Sequence, residues 1–537
     1  MSVVKYLLNY LKKHKLSLFL IIINIVLIVI ATIIPSKLIE YIFDDVINKK
    51  MTDKIFMFSI IYFCVYFLIS LLNFLKGILL INFSQGFTTY LRISLLNNLH
   101  NIPYEELSKE NTGVYESYFN NDIEQINTLV TSGVISMVID IFKIIGIIIM
   151  IFTFNLTFGY ISLAIIPLIA LISYIFKKLM FKAQLKNSYY ESKVNDYILQ
   201  TLNNIKTIKA FRKYNIFEDE YKLLLNKHYN TTKNSNFYDS IFSPLMQLIK
   251  IILIILIFII CSKNNYELGI SVGVLTALID LLTNLLQPIE NLGTELQTIQ
   301  KSLASIKRID LYLEKCNCKY LKKELNNLDN IKIIFDHVYY SYDNINYVIK
   351  DFNLIINKND KIVFKGKSGS GKSTLFKLAY GLIKPSKGRV LINGVDAYLI
   401  NDESKNKLYQ IFFQDYFFGN NTFYEELTLN NKNIPLDKVK EVIKIIGLDK
   451  RITNYNDTIN PDLFSSGEKA LLNLARILIY NPKIIFLDEL NAKIDQVTFN
   501  KIKKILNDFC VNKTVISINH YGNIINNEKT INIEEMV

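Results

Sequence analysis

Six long apolar runs limit what this chain can fold into more than any other feature of its sequence. A helix needs about 20 apolar residues to cross the hydrocarbon core of a membrane, and runs of this size recur throughout the first half of the chain. The runs cover residues 16–34, 55–83, 134–154, 158–176, 241–261 and 268–286. The sequence therefore predicts an all-α transmembrane domain of six helices in residues 1–316, with both of its ends on one side of the membrane.

The first run is preceded by lysines and could be mistaken for a secretory signal. A signal has a shorter apolar core and a cleavage site of small residues, which this segment lacks. We interpret residues 16–34 as a retained helix that ends near Pro35. The protein is therefore expected to be a multi-pass protein of the cell membrane.

The distribution of charge predicts the orientation of the helices. Between the fourth and fifth runs, in residues 177–233, Lys and Arg outnumber Asp and Glu by twelve to five, whereas residues 155–157 carry no charge. Positive charge collects on the cytoplasmic side, so we place the N-terminus and the long inner segments in the cytoplasm. The net charge of +13 is not concentrated in a compact basic domain. It indicates lysines at the surface of the lipid bilayer and no nucleic-acid partner.

The inner segments, residues 84–133 and 177–240, are amphipathic and contain few Pro or Gly residues. They are expected to form helices that extend well beyond the bilayer, at about 1.5 Å per residue. Each segment needs a turn at its far tip, and the candidates are Asn111–Gly113 and Lys213–Asn215. Such tips can contact a cytoplasmic domain.

The nine residues GKSGSGKST, 366–374, fit the phosphate-binding pattern G-x-x-x-x-G-K-[ST]. A strand-like run precedes them and a helix-like run follows, which is the context that the pattern needs. Glycines let backbone N–H groups turn toward phosphate oxygens, Lys372 can reach the terminal phosphates, and the hydroxyl of Ser373 can bind Mg²⁺. The predicted ATP-binding loop consists of Gly366, Lys367, Ser368, Gly369, Ser370, Gly371, Lys372, Ser373 and Thr374.

A polar stretch, residues 317–330, separates the apolar half of the chain from the half that contains this loop. From residue 331 to residue 537 the apolar runs are short, and strands and helices are predicted to interleave. We therefore predict a linker at 317–330 and an α/β P-loop NTPase domain at 331–537. The fold class is multi-domain, with long cytoplasmic extensions on the six transmembrane helices.

Further motifs surround the phosphate-binding loop in a fixed order. These are the tyrosine that ends VYYSY (Tyr342), the glutamine after IFF (Gln414), FSSGE at residues 464–468, the carboxylates that end IIFLDE (Asp488 and Glu489), and the histidine that ends VISINH (His520). This order resembles the ATP-binding cassette of ABC transporters, and the six spans with long inner helices resemble an exporter-type half-transporter. The resemblance covers nearly the whole chain.

The resemblance implies roles for three residues that contact the nucleotide or the metal. Tyr342 matches the aromatic residue that stacks on adenine. Gln414 matches a glutamine whose amide binds Mg²⁺ or the attacking water. Asp488 is expected to hold Mg²⁺, directly or through water.

The resemblance also implies roles in the reaction and at the dimer interface. Glu489 is expected to polarise the attacking water as general base. His520 matches the histidine that contacts the γ-phosphate and positions water. Asp495 matches the acidic end of a loop that lies across the interface between two cassettes.

The segment FSSGE occupies the position of the family's signature motif, which usually reads LSGGQ. Ser465 and Gly467 match, whereas Ser466 replaces a glycine and Glu468 replaces a glutamine. In the family this motif caps the γ-phosphate bound by the partner cassette, with a serine and backbone N–H groups at a helix start. A β-carbon at Ser466 and a negative charge at Glu468 lead to the hypothesis that the site capped by this signature is slower or weaker.

Besides Lys76, which interrupts the second run, four charged residues lie inside the predicted spans: Asp140, Lys143, Lys250 and Asp280. Each costs roughly 2.5 kcal/mol or more if it faces lipid, so we expect these residues to face a cavity or one another. Asp140 and Lys143 are three residues apart and can simply pair. Cavity lining and structural pairing both remain open at this point. A cavity with both signs of charge would suit a peptide or a zwitterion.

The sequence therefore predicts a transporter powered by ATP and Mg²⁺ that exports a small peptide or an amphipathic compound by alternating access. A second half-transporter, identical or different, is expected as partner, because each phosphate-binding loop faces a signature motif from the other chain. Two alternatives remain: import on the same scaffold, and a regulatory or sensory membrane ATPase that moves no cargo.

Overall fold

The computed structural model describes residues 2–110, 112–263, 271–316, 322–325, 331–343, 345–367, 369–413, 417–490, 494–519 and 524–535. The chain forms two compact units. The first consists of Met1–Ile102 and Glu110–Asn317, and the second of Pro103–Lys109 and Cys318–Val537.

Long helices build the first unit. The helices up to residue 316, of which α4 belongs to the second unit, are α1 Val3–Lys13, α2 Lys15–Tyr41, α3 Thr52–Leu99, α4 Tyr104–Lys109, α5 Thr112–Ser117, α6 Ile123–Thr128, α7 Ile135–Phe154, α8 Leu156–Asn203, α9 Ile205–Phe211, α10 Tyr214–Lys263 and α11 Val272–Cys316. The π-helical segments Ile42–Ile47, Tyr118–Asp122 and Leu129–Val134 continue α2 and join α5, α6 and α7.

Six helical stretches in the described part of the chain are long and apolar enough to cross a membrane. They are Lys15–Ile47, Asp53–Leu99, Thr112–Phe154, Leu156–Asn203, Tyr214–Ile260 and Val272–Cys316. Large apolar side chains on their outer faces, such as Phe56, Phe63 and Phe67 of α3, are exposed in the isolated chain. Such surfaces are stable only in contact with lipid or protein, so the prediction of a six-helix membrane protein is confirmed.

The first membrane helix continues past the predicted end. Pro35 lies inside α2, which runs on to Tyr41, so the expectation that the helix ends near Pro35 was wrong. Pro35 is buried, and Ser36 beside it donates a hydrogen bond of 2.7 Å to Asp280 on α11. Proline is tolerated in membrane helices where neighbouring helices and polar side chains compensate for the missing N–H group.

The predicted turns at the tips of the inner segments are partly wrong. Thr112 and Gly113 are already helical in α5, and Asn111 lies outside the described residues. The second turn is at Arg212 and Lys213, where Arg212 takes a left-handed conformation (φ 51°) and ends α9. Left-handed residues commonly terminate helices, which explains why α10 can begin directly afterwards.

Two sheets form the frame of the second unit. Its strands are β1 Lys332–Ser341, β2 Tyr347–Asn357, β3 Lys361–Lys365, β4 Lys387–Ile392, β5 Val395–Asp396, β6 Tyr409–Phe412, β7 Ile484–Asp488, β8 Thr514–Ile518 and β9 Lys529–Asn532. An antiparallel sheet has the order β2-β1-β4-β5, and a parallel sheet has the order β6-β7-β8-β3-β9.

Helices cover the parallel sheet. They are α12 Lys372–Ala379, α13 Asp402–Leu408, α14 Phe423–Thr428, α15 Leu436–Ile446, α16 Ser466–Tyr480 and α17 Gln496–Phe509, with 3₁₀ turns at Ala397–Leu399, Pro461–Leu463 and Ile533–Glu535. This arrangement of strands and helices confirms the predicted α/β fold of the second half.

Strand β7 separates two apolar cores. Ile484 and Phe486 pack in the core that contains α12 and the antiparallel sheet, whereas Ile485 and Leu487 pack in the core that contains α15 and α16. Successive side chains of a strand point to opposite faces, so an unbroken apolar strand can supply both cores at once. Both cores hold the end of β7, and with it Asp488, in place.

Candidate functional site

The carboxyl ends of three neighbouring strands meet at one edge of the parallel sheet. Phe364 of β3 pairs with Ile518 of β8, and Ile518 pairs with Asp488 of β7. The loop of residues 366–371 begins two residues after Phe364, so it leaves the sheet level with Asp488. Open parallel sheets bind ligands at this edge.

Glycines give the described part of this loop an unusual backbone. Gly369 and Gly371 adopt left-handed conformations with φ of 87° and 88°. The positive φ of Gly371 favours glycine there, and a β-carbon would lie 2.5 Å from Cδ1 of Ile349, whose side chain would have to move. The helix α12 starts at the next residue, Lys372, and its N-terminal end carries partial positive charge.

The side chains of the loop fit a bound phosphate group. Lys372 is 5% exposed, and its ammonium donates to the carbonyls of Gly366 (2.8 Å) and Lys367 (2.7 Å). No carboxylate lies within ion-pair distance of it among the described residues. The buried Oγ of Ser370 also has no hydrogen-bond partner in the residues that the structure describes. A buried cation and a free hydroxyl beside exposed Ser373 are the donors that an anionic, multi-oxygen ligand would use.

Two acidic residues face this edge from β7. Burial and the charge of the neighbouring Glu489, with Lys377 opposing them, together raise the pKa of Asp488 to about 6. A cation bound here would reverse this effect, because it favours the ionised carboxylate. Glu489 has a left-handed backbone (φ 42°), held by a 3.2 Å hydrogen bond from its N–H to the carbonyl of Ile518. Conformations of this kind in residues other than glycine cluster at functional sites.

Tyr342 lies beside the phosphate-binding loop. Its ring is 57% exposed, and its hydroxyl shares a hydrogen bond of 2.9 Å with Oγ1 of Thr374 on α12. An exposed ring anchored at one end leaves a flat apolar face for a planar ligand.

The signature segment forms the start of α16. Oγ of Ser465 accepts from the N–H of Glu468 (3.2 Å), and Oε2 of Glu468 accepts from the N–H of Ser465 (2.9 Å), a capping box. Ser466 is the exposed first residue of the helix.

Arg451 compensates the charge of Glu468. It forms an ion pair with Glu468, and its guanidinium lies 4.7 Å from the ring centre of Phe464. Partial burial raises the pKa of Glu468, but the bonds to Ser465 and the charge of Arg451 together lower it. The added negative charge expected from the sequence is therefore paired within the same chain.

Gly467 lies where the start of α16 meets the start of α17. A β-carbon at Gly467 would lie 3.0 Å from Oδ1 of Asp495 and 3.0 Å from Oγ1 of Thr498. Asp495 caps α17 by accepting from the N–H of Thr498 (2.9 Å), and this bond lowers the pKa of Asp495. The structure thus brings Asp495 against the signature segment of its own chain.

Three predicted site residues, Ser368, Gln414 and His520, lie outside the described residues. The strands that lead to two of them, β6 ending at Phe412 and β8 ending at Ile518, terminate at the same sheet edge as β7. Their assignments remain predictions.

The sequence did not reveal that residues 103–109, between the second and third spans, belong to the second unit. The carboxylate of Glu105 accepts a 2.8 Å hydrogen bond from the N–H of Lys384, and burial raises the pKa of Glu105. The ammonium of Lys377, on α12, lies 5.5 Å from the ring centre of Tyr104. Pro103 ahead of a short polar helix was the available signal, since proline favours a helix start.

The four charges in the membrane helices have different surroundings. Asp140 and Lys143 are 3.8 Å apart and line the same two cavities, so pairing and cavity lining both apply to them. Asp280 accepts a hydrogen bond from Ser36. Neither Asp280 nor Lys250 is among the described residues that line these two cavities. Lys76, in contrast, lines one of them. The interruption of the second apolar run by Lys76 was the signal that the sequence offered.

Comparison with known proteins identifies the family. The family model described as the ABC transporter transmembrane region matches residues 18–289, and the model described as ABC transporter matches residues 349–492.

Individual relatives align along most of the chain. The multidrug resistance-like ATP-binding protein MdlB of Buchnera aphidicola subsp. Acyrthosiphon pisum is 26% identical over 96% of this chain and 90% of its own length. The lactococcin-A transport/processing ATP-binding protein LcnC of Lactococcus lactis subsp. lactis is 24% identical over 92% of this chain and 70% of its own length.

A solved structure has the same fold. A bacterial Atm1-family ABC exporter with ATP bound superposes with a TM-score of 0.76 at 19% identity, covering 94% of this chain and 91% of the other. The membrane helices, the phosphate-binding sheet edge and both family matches agree. The chain belongs to the ABC transporters, has the exporter-type arrangement of a transmembrane region fused to one ATP-binding domain, and couples ATP hydrolysis to transport across a membrane.

Proposed function

We propose that this protein exports a small peptide or an amphipathic compound from the cell and draws the energy from ATP. The observation that carries the proposal is that one chain joins six membrane helices to a sheet edge with a buried Lys372, which has no ion pair with any carboxylate in the described residues. LcnC, named for transport of lactococcin A, supports a peptide cargo, and MdlB, named as multidrug resistance-like, supports an amphipathic one. These relatives give import on the same scaffold no support.

In the proposed ATP site, the loop of residues 366–374 holds the phosphates and Tyr342 stacks on the adenine. Lys372 exchanges its bonds to loop carbonyls for bonds to the terminal phosphates. Mg²⁺, when bound, neutralises phosphate charge, and Ser373, Gln414 and Asp488 would hold it.

Hydrolysis in this proposal depends on the residues that follow β7 and β8. Glu489 orients the attacking water and accepts its proton, and His520 contacts the γ-phosphate. The backbone of Glu489 is left-handed, directly after the end of β7, which supports a functional role for this residue.

A cassette of this family works as a dimer, and the exporter-type fold implies one here. We propose that Ser465, Ser466, Gly467 and Glu468 of one chain cap the γ-phosphate held by the other, with Asp495 at the interface. The partner is a second half-transporter, either a copy of this chain or a related one.

We further propose that residues 1–316 form the transmembrane domain, 317–330 the linker and 331–537 the cassette, with the cassette in the cytoplasm. The excess of Lys and Arg in residues 177–233 supports this orientation. The inclusion of Pro103–Lys109 in the second unit supports a role for this inner segment in transmitting cassette movement.

Reconstitution into sealed vesicles tests the proposal. The purified chain, with cassettes facing outward, should accumulate a labelled short peptide or a fluorescent hydrophobic cation inside when ATP and Mg²⁺ are added. Glu489→Gln should lower kcat for ATP hydrolysis by about 100-fold or more, because it removes the general base. The exposed Glu441 on α15 gives the matched control, Glu441→Gln, which should behave as wild type.

Each other result points to a different function. Movement of the probe in the opposite direction would identify an importer. ATP hydrolysis without movement of either probe would favour a regulatory or sensory ATPase.

A further inference from the structure

A polar cavity lies between membrane helices of the first unit. It has a volume of about 490 Å³ and is bounded by α3, by the helical stretch Thr112–Phe154 and by α11. Charged side chains of both signs face it: Lys76, Lys143, Asp140 and Glu295. Charged side chains in a membrane helix cost free energy, so four of them around one cavity indicate a functional site.

Glu295 on α11 contributes a buried carboxylate to the cavity wall. Its side chain is buried, with the residue 5% exposed, and its Oε2 atom has no hydrogen-bond partner in the described part of the chain. A buried carboxylate oxygen without a donor costs free energy that a ligand can recover by donating a hydrogen bond. The group that satisfies it best is an ammonium, which donates and carries the opposite charge.

The wall of the cavity also carries two cations, Lys76 and Lys143. Lys143 lies 3.8 Å from Asp140, beyond hydrogen-bond distance, and Asp140 instead accepts a 2.8 Å bond from the amide of Asn291. Lys76 has no ion pair among the described residues. The ammonium of Lys76 is therefore available to a carboxylate, and that of Lys143 can donate to a second acidic group because its ion pair with Asp140 is not a hydrogen bond.

A second, smaller cavity of about 190 Å³ adjoins the first and shares Asp140 and Lys143 with it. Its wall also contains Pro35, Ile69 and Ile147, which are apolar. A ligand that fits both compartments has charged ends and at least one apolar side group.

We propose that this cavity binds a short zwitterionic peptide, with Glu295 holding its amino group and Lys76 and Lys143 its carboxylate. The amides of Asn73, Gln287 and Asn291 serve peptide N–H and C=O groups. This inference rests on the proposed export function, since it names the cargo class and the place where that cargo is held.

Three related probes test the charge pairing with the intact wild-type protein in lipid nanodiscs. Trialanine carries both charges, N-acetyl-trialanine lacks the ammonium, and trialanine amide lacks the carboxylate. Equilibrium binding of radiolabelled trialanine, with the other two as competitors, gives three dissociation constants. Each modified probe should bind at least tenfold more weakly than trialanine. Equal binding of all three, or no binding of trialanine, would overturn the proposal.

Substitutions assign each charge to its residue. Glu295→Gln should weaken trialanine binding about tenfold but should not weaken N-acetyl-trialanine further. Lys76→Met and Lys143→Met should each weaken trialanine binding about tenfold but should not weaken the binding of trialanine amide further. Lys250→Met is the matched control, since Lys250 is a membrane lysine outside the described walls of both cavities, and it should leave all three constants unchanged.

The same experiments separate this inference from the export function. If Glu295→Gln weakens trialanine and N-acetyl-trialanine equally, Glu295 has a structural role and the assignment is wrong. If that variant does not assemble, the three probes on the wild-type protein still decide. Charge-dependent binding without ATP-driven uptake would support the peptide site and disprove export. Uptake of a hydrophobic cation without trialanine binding would support export and disprove the peptide site.

Discussion

Buried lysines have two different roles in the cassette. Lys372 is enclosed in a loop whose remaining free donors suit a phosphate, so its burial is relieved when an anion binds. Lys405 lies on α13, outside that loop, and is also largely buried. Its ammonium donates to the carbonyl of Gly381 at 2.8 Å. Burial lowers the pKa of Lys405 to about 8. The first lysine is held for a ligand, and the second makes stability depend on pH.

Lys405 predicts a rise of stability with pH. Because the folded pKa is below the unfolded value of 10.5, the folded chain loses this proton near pH 8 while the unfolded chain keeps it. Stability should therefore increase by about 1.4 kcal/mol per pH unit above pH 8, relative to Lys405→Gln. The thermal transition of the cassette in the intact protein, followed from pH 7 to 9.5, measures this. Lys407→Gln, at an exposed position of the same helix, is the control; parallel pH profiles for wild type and Lys405→Gln would contradict the prediction.

At the scale of elements, the start of α16 combines a structural cap with a proposed contact to the partner's phosphate. Ser465 and Glu468 cap each other, and Arg451 neutralises Glu468 from 17 residues upstream. The helix end thus keeps its positive character despite the acidic residue in its first turn. An acidic signature is compatible with anion capping only as long as this arginine is present.

Arg451→Met should expose the charge of Glu468 to the incoming phosphate. We expect a severalfold loss of ATPase rate, and Glu468→Gln added to it should restore most of the rate, because the repelling charge is then gone. Steady-state hydrolysis by the four members of this double-mutant cycle measures the coupling. Arg389→Met, which breaks an ion pair with Asp336 in the antiparallel sheet, is the matched control. Additive effects of the two substitutions would show that the charges do not interact.

At the scale of the whole molecule, residues 103–109 leave the helical unit and fold with the cassette. Glu105 is bound to the backbone of Lys384 and Tyr104 lies against Lys377, which is on the helix that starts in the phosphate-binding loop. Chain connectivity therefore ties the second and third spans to the helix that follows the phosphate-binding loop.

Glu105→Ala should uncouple transport from hydrolysis. The substitution removes the acceptor for Lys384, so we expect severalfold less cargo moved per ATP while ATP affinity is retained. The ratio of uptake to hydrolysis in the same vesicles measures the coupling. The neighbouring Glu106 pairs with Lys109 at 2.8 Å, and Glu106→Ala provides the control. A proportional fall of uptake and hydrolysis in Glu105→Ala would argue against a transmitting role.

Local motifs made much of this molecule predictable. Glycines at the spacing of residues 366–371, between a strand and a helix, predict a phosphate-binding loop. The unbroken apolar run before Asp488 predicts a buried strand that ends with this carboxylate at the edge of the sheet. Hydropathy located all six spans because the membrane requires them. Hydropathy could not predict where the helices end. The first membrane helix continues past Pro35 because it packs against its neighbours, and hydropathy does not report that packing.

Partnerships between distant positions were not predictable. Lys76 and Glu295 reach the cavity of Asp140 from other helices, at separations that no sequence period encodes. Arg451 and Glu468 meet because the segment before α16 folds back on its start. Such pairs depend on tertiary packing, which a single sequence does not show.

The close packing at Gly467 changes how a mutational scan of the signature would have to be interpreted. A side chain at this position meets Asp495 and Thr498 of the same chain before any nucleotide arrives. Loss of activity in a Gly467 variant would therefore combine a disturbed contact with the start of α17 and any effect on the bound phosphate, whereas variants at the exposed Ser466 test the proposed phosphate contact more directly. One position of this motif is therefore constrained by packing within the chain, and its neighbour by the proposed contact to phosphate.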